Sequence, residues 1–325
     1  MDNKIKIGQI ELDDRIIYPP IYSATGDVSG KATDKMCEFY ALRAANPNVS
    51  LVITEHSYIA KNGKARIDQL SLADDCDFDS LRRLVDTIHE NGAKTICQLN
   101  HGGAACEEAI TGFQPIAPSA VLHTAFPPQP NREMPREMTR EDIDYIVYCF
   151  AAAAARAKAA GYDGVEIHTA HGYLLNEFYS PMSNKRSDEY GGSLENRLRI
   201  HRDVIRAVRA AVGSDYTVAI RIGAADYAEG GNTAEDGAAS AKIFAKEGVD
   251  IIDVSGGMCR YNRPDCKDPG YFQELSRAIK AVVDLPVILT GGVKTVEQAR
   301  ALIADGAADL IGVGRSLLKD PYWGM

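Results

Sequence analysis

The chain has 325 residues, 45% of them hydrophobic and 25% charged, a balance typical of a globular protein and not of a disordered or fibrous one. Its formal net charge of −9 argues against a nucleic-acid surface, which needs clustered Lys and Arg. No apolar run approaches the roughly 20 residues that span a bilayer. The 7 cysteines are odd in number and nowhere spaced as CxxC, which favours reduced thiols over a disulfide framework or a zinc or iron–sulfur site.

The N-terminal stretch MDNKIKIGQIELDDR is charged and has no apolar core of a secretory leader, so the expected location is cytoplasmic. Short strand-like runs then alternate with amphipathic helical stretches. The strand candidates are RIIYPPI from Arg15, LVITE from Leu51, KTICQL from Lys94, GVEIH from Gly164, TVAIRIG from Thr217, DIIDVSG from Asp250, PVILTGG from Pro286 and DLIGVG from Asp309. Near-continuous hydrophobicity suits strands of a parallel sheet covered on both faces. After the third run comes a long proline-rich segment, HGGAACEEAITGFQPIAPSAVLHTAFPPQPNREMP, of the kind that closes over an active site. Thr139, Ser193 and Thr295 stand where a side-chain oxygen caps the first turn of a helix. Gly92, Gly161, Gly248 and Gly306 stand where a left-handed residue ends one.

Eight strands in strict alternation with helices predict a single-domain α/β protein, a (β/α)8 TIM barrel over 1–325 with a long loop after strand three. The competitor is a doubly wound open sheet, but no GxGxxG follows the first strand. Polar residues and glycines also gather at the C-terminal strand ends: Glu55-His56, Gln98 to Gly103, His168 to His171, Arg221, Ser255 to Gly257, Gly291-Gly292 and Gly314-Arg315. A barrel brings all of these to one mouth.

The last two of these groups offer flexible backbone and a cation where barrels bind phosphate; the plain alternative is a pair of tight turns. Arg221 interrupts an apolar strand and needs a partner, either an electron-rich ligand or an internal carboxylate such as Glu166 or Asp253. Gln98 can read a pyrimidine-like edge or bond nearby backbone. His168 and His171 are spaced HxxH at a strand end, not HExxH on a helix, so no metal site is expected. With Tyr173 beside them they read as donors to a ligand oxygen, the tyrosine as a general acid.

The segment HTAHGYLLNEFYSPMSNKRSDEYGGSLENR resembles the old yellow enzyme family of FMN-dependent ene-reductases. RIIYPPI, ITEHS, CQLNHGG, GYDGVEIH, IRIGAADY, DVSGG and GVGRSLLKDP fall in family order, so the resemblance covers essentially the whole chain. It implies one FMN per subunit and a ping-pong reaction in which NADH or NADPH reduces the flavin. The flavin then reduces the activated C=C bond of an enone or enal. It implies small-molecule substrates, no nucleic acid and no membrane, and allows a homo-oligomer.

Position by position, the resemblance sets Pro20, Ile21 and Tyr22 beside the flavin ring, and His56 where the family has a small residue whose backbone touches it. Gln98 would bond the pyrimidine edge, and Arg221 would face N1 and O2, explained without an internal ion pair. Gly291, Gly292, Gly314 and Arg315 would hold the phosphate. His168 and His171 would grip the substrate carbonyl, and Tyr173 would protonate Cα. Tyr22 departs from the usual Thr or Cys, and Ala24 falls where one branch has a tyrosine. The chain ends at Met325, without the extension by which some relatives place an arginine in a neighbouring subunit. It also lacks the cysteine-rich cluster of the dienoyl-CoA reductase and trimethylamine dehydrogenase branch, so a reaction without an iron–sulfur centre is expected. Two alternatives are a non-catalytic flavin-binding barrel and a flavin-free aldolase or isomerase using the same phosphate site.

Overall fold

The computed structural model describes residues 3–75, 78–123 and 133–325. Eight parallel strands close on one another in the order in which they occur in the chain. They are β1 (Ile16–Tyr18), β2 (Leu51–Tyr58), β3 (Lys94–Asn100), β4 (Gly164–Thr169), β5 (Thr217–Gly223), β6 (Ile251–Ser255), β7 (Val287–Thr290) and β8 (Leu310–Gly312). Each leads to a helix of the outer ring: α1 (Asp34–Ala44), α2 (Phe78–Glu90), α3 (Arg140–Ala160), α4 (Arg199–Val212), α5 (Ala234–Glu247), α6 (Gln273–Lys280), α7 (Val296–Ala304) and α8 (Arg315–Lys319). This is the (β/α)8 barrel that the alternation predicts.

Every residue of β4 and β5 is buried, Glu166, His168 and Arg221 included, which is why these strands show no polar alternation. The helix boundaries follow from local chemistry. Thr139 Oγ1 accepts the Asp142 N–H at 3.2 Å while the Asp142 carboxylate accepts the Thr139 N–H at 2.7 Å, closing a capping box at the start of α3. Gly161 ends that helix in the left-handed region at φ 100°. Ser193 caps a separate short helix, Leu194–Arg197, ahead of α4.

An antiparallel hairpin, Ile5–Ile7 with Ile10–Leu12, adds to the eight expected strands. Its signal in the sequence is the alternation of Ile5, Ile7, Ile10 and Leu12 about Gly8. Ile7, Ile10 and Leu12 pack with Leu51, Ile251, Ile288 and Leu310 from the strand starts, so the hairpin plugs the N-terminal end of the barrel. The opposite end is left as the mouth.

β1 is shorter than RIIYPPI suggests because Pro19 and Pro20 have no N–H for the ladder. β2 is longer than LVITE, and its pairing with β3 shifts register between Thr54 and Ser57. Such an irregularity re-aims the side chains it contains, here Glu55 and His56. The long loop after β3 is tied at its ends by the pairing of Ile116–Ala117 with Arg136–Glu137. The expected lid lies partly outside the described residues, at 124–132.

Candidate active site

At the end of β4 the chain turns through His171 (φ 65°) and Gly172 (φ 74°) before Tyr173 opens the helix Leu174–Tyr179. A left-handed histidine is uncommon and must be held from outside. The holding contacts are the His171 N–H to Gly256 O at 3.3 Å, the His171 Nε2 with Ser255 Oγ at 2.7 Å, and the Gly172 N–H to Asn176 Oδ1 at 2.7 Å. The turn brings the predicted trio together. The His168 ring lies 5.0 Å from that of His171 and 5.2 Å from that of Tyr173, edge-on to each. His123 from the long loop reaches the same turn, its Nε2 donating to Gly172 O at 2.5 Å.

Burial pushes the pKa of both His168 and His171 well below the ordinary histidine value, and the Arg221 charge adds to the effect. Both rings are therefore neutral at pH 7, each with one N–H to donate. Burial also raises the Tyr173 pKa, so its phenol keeps its proton. Each neutral imidazole has one N–H and one lone pair and the phenol one O–H, so the trio can present hydrogen donors without carrying charge.

Strand register sets polar side chains in two rows across the barrel: Gln98 opposite Glu166, and His168 opposite Arg221, which is in turn opposite Asp253. Gln98 Nε2 donates to Glu166 Oε1 at 2.8 Å, so its amide engages a carboxylate and not nearby backbone. Arg221 Nε lies 3.2 Å from Asp253 Oδ2. This corrects the expectation that Arg221 does without an internal ion pair: a guanidinium on a fully buried strand requires a counter-charge, and the register supplies Asp253. The contact is Coulombic, since Arg221 Nε has no hydrogen-bond partner among the described residues. Burial raises Asp253 to about 6 against the pull of Arg221, and burial together with Asp253 raises Glu166 well above the usual range. Of the two carboxyl groups Asp253, the one in ion-pair range of Arg221, is the more readily ionised.

At the other side of the mouth, Gly291 and Gly292 after β7 stand near Gly314 and Arg315 at the start of α8. A Cβ on Gly291 would come within 2.9 Å of the Tyr271 ring, and one on Gly314 within 2.8 Å of Ile21. Gly292 is left-handed at φ 69°. Arg315 is exposed and donates from Nη2 to the Tyr271 hydroxyl at 3.4 Å. Thr290 Oγ1 is buried there with no partner among the described residues.

Pro20, Ile21 and Tyr22 follow β1 along the rim. Tyr22 donates its hydroxyl to Asp68 at 2.5 Å, and the Arg66 guanidinium stands 5.1 Å from its ring centre. Burial and then Asp68 push the Tyr22 pKa up to about 12. Glu55 is buried, its Oε2 accepting the Ser23 N–H at 2.8 Å, and burial lifts its pKa to about 7. Ala24 is exposed with φ 54°. Arg66, Asp68 and Gln69, from the loop after β2, and Tyr271, after β6, are site residues that the sequence reading does not single out. They sit in irregular segments with no periodicity and no motif to mark them. Among the described residues no group of three His, Cys, Asp or Glu is placed to hold a metal ion, and no helix is long and apolar enough to cross a membrane.

A family model described as the NADH:flavin oxidoreductase / NADH oxidase family matches residues 3–325. The chain is 38% identical over 325 residues to an NADH oxidase of Thermoanaerobacter brockii, covering 98% of this chain and 49% of that protein. It is 35% identical over 312 residues to an NADPH dehydrogenase of Clostridium acetobutylicum, covering 96% of this chain and 89% of that protein. An old yellow enzyme homologue from Zymomonas mobilis superimposes with a TM-score of 0.84 at 27% identity, covering 98% of this chain and 90% of that one. The chain spans about half the length of the first of these relatives, so its last residue lends no support to the expectation of a reaction without an iron–sulfur centre.

Proposed function

The chain belongs to the NADH:flavin oxidoreductase / NADH oxidase family, of old yellow enzyme type with FMN as cofactor and NAD(P)H as reductant, and from that premise we propose that it reduces the activated C=C bond of α,β-unsaturated carbonyl compounds. The observation that carries this reading is the cluster of His168, His171 and Tyr173, three neutral hydrogen donors at one mouth. Storage of a flavin needs no such cluster.

The donor set at the mouth fits FMN. Gln98 and Arg221 would offer N–H groups to the pyrimidine edge of the ring, and Pro20, Ile21, Tyr22 and His56 would flank it. Gly291, Gly292, Gly314 and Arg315 offer backbone N–H groups and a cation for a single phosphate. Buried polar atoms are nearly always satisfied, so the lack of a partner for Arg221 Nε and Thr290 Oγ1 supports a ligand that supplies one. FMN held there would supply the hydride chemistry, taking reducing equivalents from NAD(P)H and passing them to the alkene in a ping-pong cycle.

The rest falls to the side chains. His168 and His171 direct N–H groups at the substrate carbonyl oxygen and stabilise the negative charge that develops there. Being neutral, they hold these protons and do not transfer them. Tyr173 donates the proton that Cα takes up. Asp253 balances part of the Arg221 charge, and burial beside Asp253 disfavours a second anion at Glu166.

An absorbance spectrum followed by anaerobic titration tests the proposal. NADH or NADPH should bleach a bound flavin, and cyclohexenone should restore the oxidised spectrum. Bleaching that oxygen reverses and no enone reverses overturns the ene-reductase reading while leaving the family intact.

A further inference from the structure

His56 stands near the end of β2 and turns its ring into the mouth, 5.2 Å from the Tyr173 ring and 6.3 Å from that of His168, centre to centre. Its Nδ1 lies 2.8 Å from Gln69 Nε2 and 3.2 Å from Asn100 Nδ2. The Gln69 amide is oriented by other contacts: its oxygen accepts the Ala65 N–H at 2.7 Å, and its nitrogen also reaches His56 O at 3.0 Å. The nitrogen end of Gln69 therefore faces the imidazole. An oriented N–H donor aimed at that ring nitrogen makes it an acceptor, and the Asn100 amide, whose nitrogen end faces it, agrees with that role. Burial, then the charges of Arg66 and Arg221, take the ring's pKa down to about 4. A neutral ring whose Nδ1 accepts must carry its proton on Nε2. His56 is partly exposed, and no hydrogen bond among the described residues engages its Nε2.

These contacts fix what the ring can do. It cannot relay a proton to Tyr173, because Nδ1 is already occupied by the Gln69 donor. It can donate one hydrogen bond into the mouth, in a fixed direction.

We infer that His56 is a specificity-determining residue, whose Nε2–H holds a second oxygen acceptor on the substrate beyond the carbonyl gripped by His168 and His171. The inference rests on the ene-reductase reading above. The chemical class it selects is an alkene bearing two acceptors, such as an ene-dicarbonyl. Gln69 and Asn100 act through His56 as positioning residues that fix its tautomer.

Two measurements test this. Two-bond 1H–15N NMR of the holoenzyme labelled with 15N-histidine should show His56 protonated on Nε2 alone from roughly pH 6 to 8, a window well above its lowered pKa. Protonation on Nδ1 in that window overturns the inference, and since the unaltered protein is observed, the result does not depend on how any variant folds. Steady-state kinetics should then compare cyclohexenone with cyclohexenedione, which differ by one carbonyl. His56→Leu should raise KM for the dione by about tenfold relative to the enone, the worth of one hydrogen bond. His56→Asn, which restores a short N–H donor, should recover much of the loss. An equal change for both substrates, or no change for either, means a structural role and overturns the inference. Failure of the unaltered protein to reduce cyclohexenone overturns the ene-reductase reading instead.

Discussion

Replacing Tyr173 with Phe removes one hydroxyl and little else. The ring is 7% exposed and packed between the rings of His56 and His168, each 5.2 Å away, and phenylalanine fills the same space. The lost polar contact should cost about 1 kcal/mol of stability, or a few degrees in Tm at most for a chain of this size. Chemistry should suffer far more. Because burial raises the phenol's pKa, the group is protonated throughout the neutral range and available as a general acid. A positioned general acid contributes about 10²- to 10⁴-fold, so oxidation of the reduced enzyme by cyclohexenone should slow by that factor. Reduction by NAD(P)H requires no carbon protonation and should stay close to that of the unaltered protein, as should oxidation by oxygen. Stopped-flow absorbance resolves the two half-reactions. An enone rate within about threefold of the unaltered protein, far short of the general-acid range, removes Tyr173 from the mechanism. A loss shared equally by enone and oxygen shows that the ring only packs the site.

Replacing His168 and His171 together with Ala should slow the enone half-reaction by at least about 10²-fold and weaken binding of phenolic ligands, read by absorbance titration, because oriented donors to a developing oxyanion are lost. Gly292→Ala should raise the Kd for FMN about tenfold or more, since its φ of 69° disfavours a side chain and the new Cβ would lie 2.8 Å from Asp268 O; quenching of FMN fluorescence by apoprotein measures it. Glu55 gives a pH test. Its pKa is raised from 4.5 to about 7 on folding, so its contribution is fully present below pH 4.5 and is lost as pH rises through 7. Glu55→Gln should therefore be nearly neutral at pH 4.5 and relatively stabilising by about 3 kcal/mol at pH 8, read from urea midpoints at the two pH values. The same offset at both would show that folding does not raise the Glu55 pKa.

Much of this protein was legible in the sequence because its strands lie in a parallel barrel. Both strand faces are covered, so each strand is a continuous apolar run, and most helices between them begin at a capping oxygen or end at a glycine, α6 being the exception. His168, His171, Tyr173, Gly291, Gly292, Gly314 and Arg315 were visible for the same reason, as polar residues and glycines at the C-terminal ends of apolar runs. The hairpin at the N-terminus was hidden because three-residue strands leave too short a pattern to weigh against a charged flank.

What only the tertiary structure decided is pairing. Glu166 and Asp253 are equally plausible partners for Arg221 along the chain, and the stagger of β4, β5 and β6 chose Asp253, leaving Glu166 to Gln98. Nothing near position 56 announces the tautomer of its imidazole, which depends on Gln69 from a loop and Asn100 from the next strand. The physical reason is one of range. Hydrophobic periodicity and helix caps act within a few residues, so they are written locally, whereas proton positions and ion pairs are set by groups that meet only when the barrel closes.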